Sequence, residues 1–250
     1  MNPKPLSGKR IWVTGASSGI GRACCIQIAR AGGVVVAFGR DKERLDETLS
    51  QLDGEGHEGI SIDLTNTNQL VYEIKLQLKT SIQPDGLVYA AGITMTWPLK
   101  YTTTEKLDNI MQVNVYPAFE IIRLITAKKA YNPMSLVLLS SVMASTGEVA
   151  KSAYSMSKGA LLSGMRSMAL ELATKKIRVN CISPGVVNTP MTAEAGYRKS
   201  NDALDAITQK HPLGLGNPDD VAEPVVFLLS DAARWITGID LKVDGGYSSH

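Results

Sequence analysis

The stretch RIWVTGASSGIG, residues 10–21, joins a short apolar run to a turn that contains three glycines. Ile20, Cys24 and Ile28 then recur at helical spacing as far as Gly32. Glycines allow a tight turn and a close approach of the backbone to a phosphate, and the first turn of a helix offers free N–H groups. A strand, a glycine turn and a helix in this order therefore predict a site for a dinucleotide or another phosphate.

Strand and helix patterns alternate along the rest of the chain. This rhythm is typical of a parallel sheet with helices on both faces. It predicts an α/β fold with one domain over residues 1–250, built on a Rossmann-type, doubly wound parallel sheet of about seven strands. The predicted strands are Arg10–Thr14, Val34–Phe38, Glu58–Ile62, Gly86–Tyr89, Ser135–Leu139, Ile177–Ile182 and Gly238–Val243.

The composition agrees with one globular domain and excludes several functions. The 250 residues are 44% hydrophobic and 20% charged, which is enough to bury a sizeable core. The net charge of +2 includes no basic block, so nucleic acid is not an expected partner. We find no apolar run of membrane-spanning length and no apolar leader, and we expect a cytoplasmic protein without membrane contact. The three cysteines and three histidines have no metal-ligand spacing, so no metal is predicted.

Three later segments complete the predicted organisation. Thr102 and Glu105 have the spacing of a capping box and predict the start of a long helix that contains Asn114 and is bent by Pro117. Periodicity weakens over residues 186–216, which we interpret as a mobile substrate lid with a short helix, placed beyond the carboxyl ends of the strands. The segment 219–229 predicts a further helix despite an internal proline.

Residues 141–158, SVMASTGEVAKSAYSMSK, bring a hydroxyl, a phenol and an amine together. If a helix runs from Ser152 to about Ala173, Tyr154 and Lys158 lie one turn apart on the same face. A nearby ammonium favours the phenolate and lowers a tyrosine pKa that is ordinarily about 10, so the pair could act as a general acid and base. Taken alone, the spacing equally describes an amphipathic pair on a helix surface.

The rest of the chain favours the catalytic interpretation of Tyr154 and Lys158. Several motifs occur in an order that resembles the short-chain dehydrogenase/reductase family over nearly the whole length of the chain. The motifs that carry the resemblance are Thr14-Gly-x-x-x-Gly-x-Gly21, Asp63-Leu64, Ala91-Gly92, Asn114, Ser141, Tyr154-x-x-x-Lys158 and Pro184-Gly185.

The resemblance implies a role for each catalytic position. Tyr154 would give its proton to the carbonyl oxygen of the substrate, and Ser141 would hydrogen-bond the same oxygen. Lys158 would lower the Tyr154 pKa and bind the nicotinamide ribose, and Asn114 would hold a water in a proton relay. Two donors aimed at the one oxygen where charge develops agree with the general chemistry of such a step.

The resemblance also implies which residues bind the cofactor. The pyrophosphate and the adenosine would contact the glycine turn, the adenine would contact Asp63 and Leu64, and the segment around Thr189 would meet the nicotinamide. The implied cofactor residues, besides Tyr154 and Lys158, are Gly15, Ser17, Ser18, Gly19, Ile20, Gly21, Asp63, Leu64, Ala91, Gly92, Pro184, Gly185, Val187 and Thr189.

Three positions depart from the family pattern. Tyr89 and Ala90 stand where the family often has two asparagines, which implies different packing at the centre of the sheet. Leu215 replaces a common arginine, and Pro224 lies in a helix that is regular in the family. The last two changes bear on subunit contacts, and none of the three touches the catalytic residues.

The end of the second strand predicts a preference for NADPH. Gly39 occupies the place of an acid that would bind a free ribose 2′-hydroxyl, and Arg40 follows it. A guanidinium binds a 2′-phosphate through charge-assisted hydrogen bonds, and the Ser17 hydroxyl could add another donor. The alternative is that Arg40 only begins a charged surface helix and that Asp41 serves the ribose.

These features predict an NADPH-dependent reductase of a ketone or a 3-oxoacyl thioester, nearest to the 3-oxoacyl-[acyl-carrier-protein] reductases. An acidic carrier protein could dock on the lysine pairs at 128–129 or 175–176, although such pairs also occur on plain surfaces. On resemblance we expect a homotetramer that pairs the helices 103–128 and 152–173. The alternatives are an NAD-dependent dehydrogenase of an alcohol, sugar or polyol, and a catalytically silent dinucleotide sensor.

Overall fold

Within the part of the chain that the structure describes, the strands form one seven-stranded sheet, and all of its strand pairs are parallel. The computed structural model describes residues 4–80, 83–127, 133–193 and 200–249. The sheet order is β3-β2-β1-β4-β5-β6-β7, and the predicted doubly wound parallel sheet of about seven strands is confirmed. The strands are β1 (Arg10–Thr14), β2 (Val34–Gly39), β3 (Glu58–Ser61), β4 (Gly86–Tyr89), β5 (Met134–Leu139), β6 (Ile177–Pro184) and β7 (Asp240–Val243).

The helices cover both faces of this sheet. They are α1 (Gly19–Arg30), α2 (Lys42–Leu49), α3 (Thr67–Thr80), α4 (Thr104–Asn114), α5 (Tyr116–Ile125), α6 (Ser152–Ala173), α7 (Pro190–Ala193), α8 (Asn201–Gln209) and α9 (Pro218–Leu229). The helix predicted from Ser152 to Ala173 is confirmed at both ends. The helix predicted near Asp219 is also present and continues through Pro224.

Alternating side chains of the strands supply two separate cores. Trp12 and Val36 point to the face covered by α3, α5 and α6, whereas Val13 and Ala37 point to the face covered by α1 and α9. All four side chains are fully buried. Strands that are buried on both faces become continuously apolar, which explains why the sequence shows short apolar runs instead of strict alternation.

The strand order reverses between β1 and β4, and this reversal positions the site. The chain runs outward from β1 to β3 and then returns to the other side of β1 as β4. Thr14 at the end of β1 pairs with Tyr89 at the end of β4. Ligands of open α/β sheets bind in the crevice where the chain diverges in this way.

The prediction of one long helix that begins at the Thr102 capping box and contains Asn114 is wrong in two respects. Its N-cap is Thr103, whose hydroxyl accepts a hydrogen bond from the Lys106 N–H at 3.3 Å, one residue later than the Thr102 capping box predicted. The helix is also interrupted at Val115, which has a φ of −123°, so that α4 and α5 are separate. Pro117 therefore lies in the first turn of a new helix, where proline is tolerated, and does not bend a continuous one.

Tyr89 stabilises this interruption. Pro117 has no N–H, so it cannot donate to the Val113 carbonyl four residues earlier. The Tyr89 hydroxyl donates to that carbonyl instead, at 2.6 Å. Burial raises the pKa of Tyr89, which keeps the hydroxyl protonated as a donor. Tyr89, which stands where the family often has an asparagine, thus stabilises the end of α4 from the centre of the sheet.

The segment 186–216 contains two helices, α7 and α8, within its described residues. It is closed by a bridge between Val187 and Gly216. Residues 194–199 lie outside the described ranges, and the assignment of this segment as a substrate lid stays a prediction. In the described ranges, no helix combines the length and the hydropathy needed to cross a membrane.

Candidate active site

A cleft of about 630 Å³ opens at the carboxyl ends of β1, β2 and β4. It contains most of the residues that the sequence assigned to a cofactor. The predicted residues that line it are Gly15, Ser17, Ser18, Gly19, Ile20, Gly21, Arg40, Asp63, Leu64, Ala91, Gly92 and Thr189. The residues that line it without having been assigned there include Phe38, Arg44, Ile62, Thr65, Ala90, Ile93, Val113, Pro190 and Met191.

The glycines of the turn are needed where backbone segments approach each other. Gly15 has a φ of +66°, and a Cβ on it would lie 2.8 Å from the Ala91 nitrogen. A Cβ on Gly21 would collide with the Gly15 carbonyl oxygen. Gly19 has a φ of +52°, and its missing side chain leaves room for Thr189. These positions keep the start of α1 close to the end of β4 and leave the floor of the cleft free of side chains.

The end of β2 forms a basic corner of the cleft. Gly39 lies beside Ser17, because a Cβ on Gly39 would be 3.4 Å from the Ser17 Cβ. Arg40 and Arg44 both line this corner and are exposed. Asp41 lines it too, but its Oδ1 accepts the Arg44 N–H at 3.1 Å and caps α2. The carboxylate therefore has a structural task, while the two guanidinium groups remain available to an anion.

Tyr154 lies in the first turn of α6 next to Ser141, which follows the end of β5. Ser141 is buried, and its Oγ accepts a hydrogen bond from the Met143 N–H at 3.2 Å. The neighbouring Ser140 hydroxyl donates to the Lys158 carbonyl at 3.0 Å and is occupied in that contact. This difference favours Ser141 over Ser140 as the hydroxyl that donates to a substrate, because the Ser140 hydroxyl already donates to the main chain.

The pKa of Tyr154 departs from the sequence prediction. Burial raises it above the ordinary tyrosine value, and a hydrogen bond with the Ser141 side chain acts in the opposite direction. The sequence predicted a lowered pKa from the neighbouring ammonium of Lys158. Removal of water from the phenolate outweighs the lowering effects here, so the phenol is the favoured form.

Lys158 is almost completely buried, with a relative exposure of 5%. Its Nζ donates to the Leu139 carbonyl at 2.8 Å and lies 5.9 Å from the centroid of the Tyr154 ring. A Cβ on Gly92 would lie 3.3 Å from this amine, which places Lys158 at the edge of the cleft. Burial lowers the pKa of Lys158 to about 8. An amine with this pKa gains and loses a proton readily near neutral pH.

Asn114 is fully buried at the end of α4. Its Oδ1 accepts the Ile93 N–H at 2.8 Å, and its Nδ2 donates to the Ile93 carbonyl and to the Ser157 hydroxyl, at 3.1 and 2.9 Å. The amide thus fastens α4 to the segment after β4 and to α6. The predicted relay water held by Asn114 stays a prediction.

Besides Tyr154 and Lys158, three predicted cofactor residues lie outside the cleft lining. Pro184 ends β6, the Gly185 N–H donates to the Val243 carbonyl at 3.1 Å, and Val187 pairs with Gly216. Among the described residues, the lining includes Thr189, two positions further on, but none of these three. They fix the start of the segment that carries Thr189.

A family model described as Enoyl-(Acyl carrier protein) reductase matches residues 15–248, which is almost the entire chain. The chain belongs to the short-chain dehydrogenase/reductase family. It is therefore an NAD(P)-dependent oxidoreductase that acts on CH–OH or C=O groups.

Relatives within the short-chain dehydrogenase/reductase family differ in substrate. The 3-oxoacyl-[acyl-carrier-protein] reductase of Thermotoga maritima is 32% identical over 96% of this chain and 98% of its own length. A putative NAD(P)-dependent gluconate 5-dehydrogenase from Beutenbergia cavernae, solved with bound NADP, superposes with a TM-score of 0.92 at 33% identity, with complete coverage of both chains. A 4-hydroxyisoleucine dehydrogenase complexed with NADH has a TM-score of 0.90 at 28% identity, with 97% of this chain and 100% of that chain covered.

Two of the residues that the sequence did not assign to the site could have been found from patterns. Arg44 lies in the first turn of the helix that follows β2, and the start of such a helix lies at the carboxyl end of the strands, where ligands bind. Ala90 follows the last residue of β4, where the carboxyl-end rule places ligands. Lys151 is a third unassigned residue. Its amine lies 5.8 Å from the centroid of the Tyr154 ring, and a tertiary contact with the segment after β4 determines its position.

Proposed function

We propose that the protein is an NADPH-dependent carbonyl reductase in which Tyr154 is the proton donor. The observation that carries this proposal is the placement of the Tyr154 phenol beside the Ser141 hydroxyl and near the Lys158 amine, at the edge of the cleft. Two of these groups can hydrogen-bond one carbonyl oxygen, and the third can resupply the proton.

The raised pKa of Tyr154 suits the reductive direction. A proton donor must be protonated before the reaction, and burial keeps the phenol in that form at neutral pH. Ser141 would hold the carbonyl oxygen within reach of the phenol. As negative charge develops on that oxygen, both hydroxyls can donate to it, and the hydrogen bonds strengthen where they are most needed.

Lys158 would serve both the proton and the cofactor. Within the described part of the chain its amine donates one hydrogen bond, to the Leu139 carbonyl, which leaves two N–H donors for a ribose hydroxyl or a relay group. With a pKa of about 8, the ammonium can transfer a proton towards the tyrosinate that remains after donation.

A nicotinamide dinucleotide fits the residues of the cleft. The floor is formed by the glycine turn at the start of α1, where free N–H groups face a pyrophosphate. Gly92 leaves open the space in front of Asn114 and Lys158 that a side chain would fill. When bound, the nicotinamide supplies the hydride that adds to the carbonyl carbon. Asp63 and Leu64 would hold the adenine end, and Thr189 would hold the nicotinamide end. Pro184, Gly185 and Val187 would act on the nicotinamide end by fixing the segment that carries Thr189.

The preference for NADPH over NADH rests on the basic corner. Gly39 offers no carboxylate to bind a ribose 2′-hydroxyl or to repel a 2′-phosphate, and Asp41 is engaged in capping α2. Arg40 and Arg44 can bind a 2′-phosphate with charge-assisted hydrogen bonds, and Ser17 adds a hydroxyl.

Arg40→Ala is expected to lower kcat/KM for NADPH by about 10- to 100-fold, the usual loss for one charge-assisted hydrogen bond, and to leave kcat/KM for NADH nearly unchanged. Lys42→Ala is the matched control, because Lys42 carries the same charge two positions away but pairs with Asp46 on the surface. Equal use of the two cofactors by the wild type, or an equal loss with both in the variant, contradicts the preference.

The substrate class that we propose is a ketone or a 3-oxoacyl thioester. The lysine pairs suggested for an acyl-carrier protein give this narrower choice little support. Lys175 and Lys176 precede β6 and lie at the amino edge of the sheet, opposite the cleft. Residues 128 and 129 lie outside the described ranges. If a carrier protein delivers the substrate, it contacts another surface.

An NAD-dependent dehydrogenase of an alcohol, sugar or polyol is the second candidate. It is supported by the gluconate named for one structural relative and by the NADH bound to another. A silent dinucleotide sensor is disfavoured because Ser141, Tyr154 and Lys158 are all present and grouped. Following nicotinamide absorbance with a panel of ketones, 3-oxoacyl thioesters and sugar alcohols distinguishes the reductase, the dehydrogenase and the sensor. Oxidation of NADPH by carbonyl compounds supports the proposal, whereas activity only with NAD and alcohols, or none at all, contradicts it.

We also propose a homotetramer. The helices α5 and α6 expose large apolar side chains, among them Phe119 at 60% and Leu170 at 81% relative exposure, and Trp235 is exposed at 97% elsewhere on the surface. Exposed apolar groups of this size mark protein contacts, and closed symmetric assemblies are common among soluble enzymes. Light scattering at micromolar concentration is expected to give about four times the 26.9 kDa chain mass. A mass near that of one chain contradicts the assembly.

A further inference from the structure

Lys151 is a cation beside the proposed proton donor, and it has no role in the proposed proton transfer. It immediately precedes α6 and is partly buried. The preceding residue, Ala150, has a φ of +65°, and its carbonyl accepts the Trp97 N–H at 2.9 Å. A left-handed alanine costs conformational energy, so this connection is held by the segment that follows β4. The backbone thus fixes the direction from which Lys151 enters the site.

Two threonines hold the amine of Lys151 in place. Its Nζ donates to the Thr94 Oγ1 at 3.2 Å and to the Thr96 Oγ1 at 2.6 Å. The same Nζ lies 5.8 Å from the centroid of the Tyr154 ring. An ammonium has three donors, and the two threonines use two of them. One N–H of a fixed cation is therefore left for a ligand that binds next to Tyr154.

The charge of Lys151 is not neutralised by an ion pair within the described residues. No carboxylate there lies within 4.0 Å of its amine. Glu148, which is exposed, acts on it from a longer distance. Burial lowers the pKa of Lys151, which shows that part of its hydration has been lost. A partly desolvated cation without an ion-pair partner binds an anion more strongly than a surface lysine does.

We propose that Lys151 is an anion subsite of the active site and that it binds the carboxylate of a small oxo acid whose carbonyl oxygen contacts Tyr154 and Ser141. This inference rests on the proposed function, since it narrows the substrate to an anionic class. The Lys151 amine lies close to the Tyr154 ring, so the amine and the phenol can contact the same small molecule. The reduction leaves the carboxylate unchanged, so the corresponding hydroxy acid is the product. A neutral thioester offers the ammonium a carbonyl oxygen but no negative charge, so the subsite favours an acid over a thioester.

The alternative role for Lys151 is a tether that only fastens the start of α6 to the segment after β4. A tether and an anion subsite differ in one measurable respect. Loss of a tether disturbs Tyr154 and lowers activity with every substrate alike. Loss of an anion subsite lowers activity with an acid and spares its uncharged ester, because the two compounds differ only in the group that Lys151 contacts.

The test compares 2-oxo-, 3-oxo- and 4-oxopentanoate with their methyl esters, using NADPH and the full-length protein. We expect the wild type to prefer the acid at one or more of these spacings. Lys151→Met is expected to lower kcat/KM for that acid by about 10- to 100-fold. The same variant is expected to change kcat/KM for the methyl ester by less than about threefold. Lys151→Arg is expected to retain the preference. Lys100→Met is the matched control, since it removes an equal charge from the surface of the segment after β4.

A binding measurement provides a readout that is independent of turnover. In the Tyr154→Phe background, calorimetric titration of the same acids in the presence of NADP is expected to give a dissociation constant that Lys151→Met raises about tenfold or more. An equal loss for acid and ester, or no loss for either, overturns the subsite. Absence of turnover with every carbonyl compound contradicts the proposed function instead, and the calorimetric result still decides the role of Lys151.

Discussion

Tyr154→Phe is expected to reduce carbonyl turnover by about 10²- to 10⁴-fold, the range by which a positioned general acid contributes. The substitution removes one oxygen atom and leaves the ring in place beside Ser141. Because only the proton donor is removed, the dissociation constant for NADPH is expected to stay the same. Steady-state kinetics with a ketone and fluorescence titration with NADPH measure the two quantities.

Tyr72→Phe is the control for this substitution. Tyr72 lies on α3 with its side chain exposed, so loss of its hydroxyl is expected to have no effect on turnover. If Tyr154→Phe retains activity within about tenfold, which is roughly 1.4 kcal/mol of barrier, Tyr154 is not the proton donor.

Lys158→Met is expected to lower kcat about as strongly as Tyr154→Phe and also to weaken NADPH binding. Methionine approximates the length of lysine but cannot donate, so the ribose contact and the proton supply are lost together. The Leu139 carbonyl also loses its partner at 2.8 Å, which lowers stability by about 1–3 kcal/mol. A circular dichroism melt separates this loss of stability from the catalytic effect. A variant with normal NADPH affinity contradicts the ribose role.

The same residue predicts the pH dependence of the reduction. The pKa of Lys158 is lowered to about 8 by burial, so the ammonium is present below that pH and is lost above it. We expect kcat for the wild type to fall as the pH rises through about 8, while the Tyr154 phenol, with its raised pKa, stays protonated. Lys158→Arg is expected to move the fall to higher pH, since a guanidinium does not lose its proton in this range. A profile that stays level through pH 8 contradicts this role.

Local patterns were sufficient to predict the architecture. The glycine turn at residues 14–21 and the alternation of apolar runs with helical periodicity depend on neighbours in sequence. The helix Ser152–Ala173 was predicted for the same reason, because its residues carry their own helical pattern. The interruption at Val115 was missed because it depends on the Tyr89 hydroxyl, which reaches the Val113 carbonyl from another element.

The same distinction applies to the site. The motifs identified Tyr154 and Lys158, but the direction of the Tyr154 pKa was wrong because the sequence does not reveal how much water packing removes. Lys151 carries no signal in the sequence, since its environment depends on Thr94 and Thr96 after a distant strand. Side chains placed by tertiary contact are thus the part of this site that sequence patterns did not supply.

The most direct test of hydride reduction is the transfer of deuterium to a ketone from NADPH that carries two deuterium atoms on the reactive carbon of the nicotinamide. We predict an alcohol that carries one deuterium on the carbinol carbon, formed by the wild type and reduced about 10²- to 10⁴-fold in amount per unit time by Tyr154→Phe. Product alcohol without deuterium on that carbon, or equal rates for the two proteins, would contradict hydride reduction with Tyr154 as the proton donor.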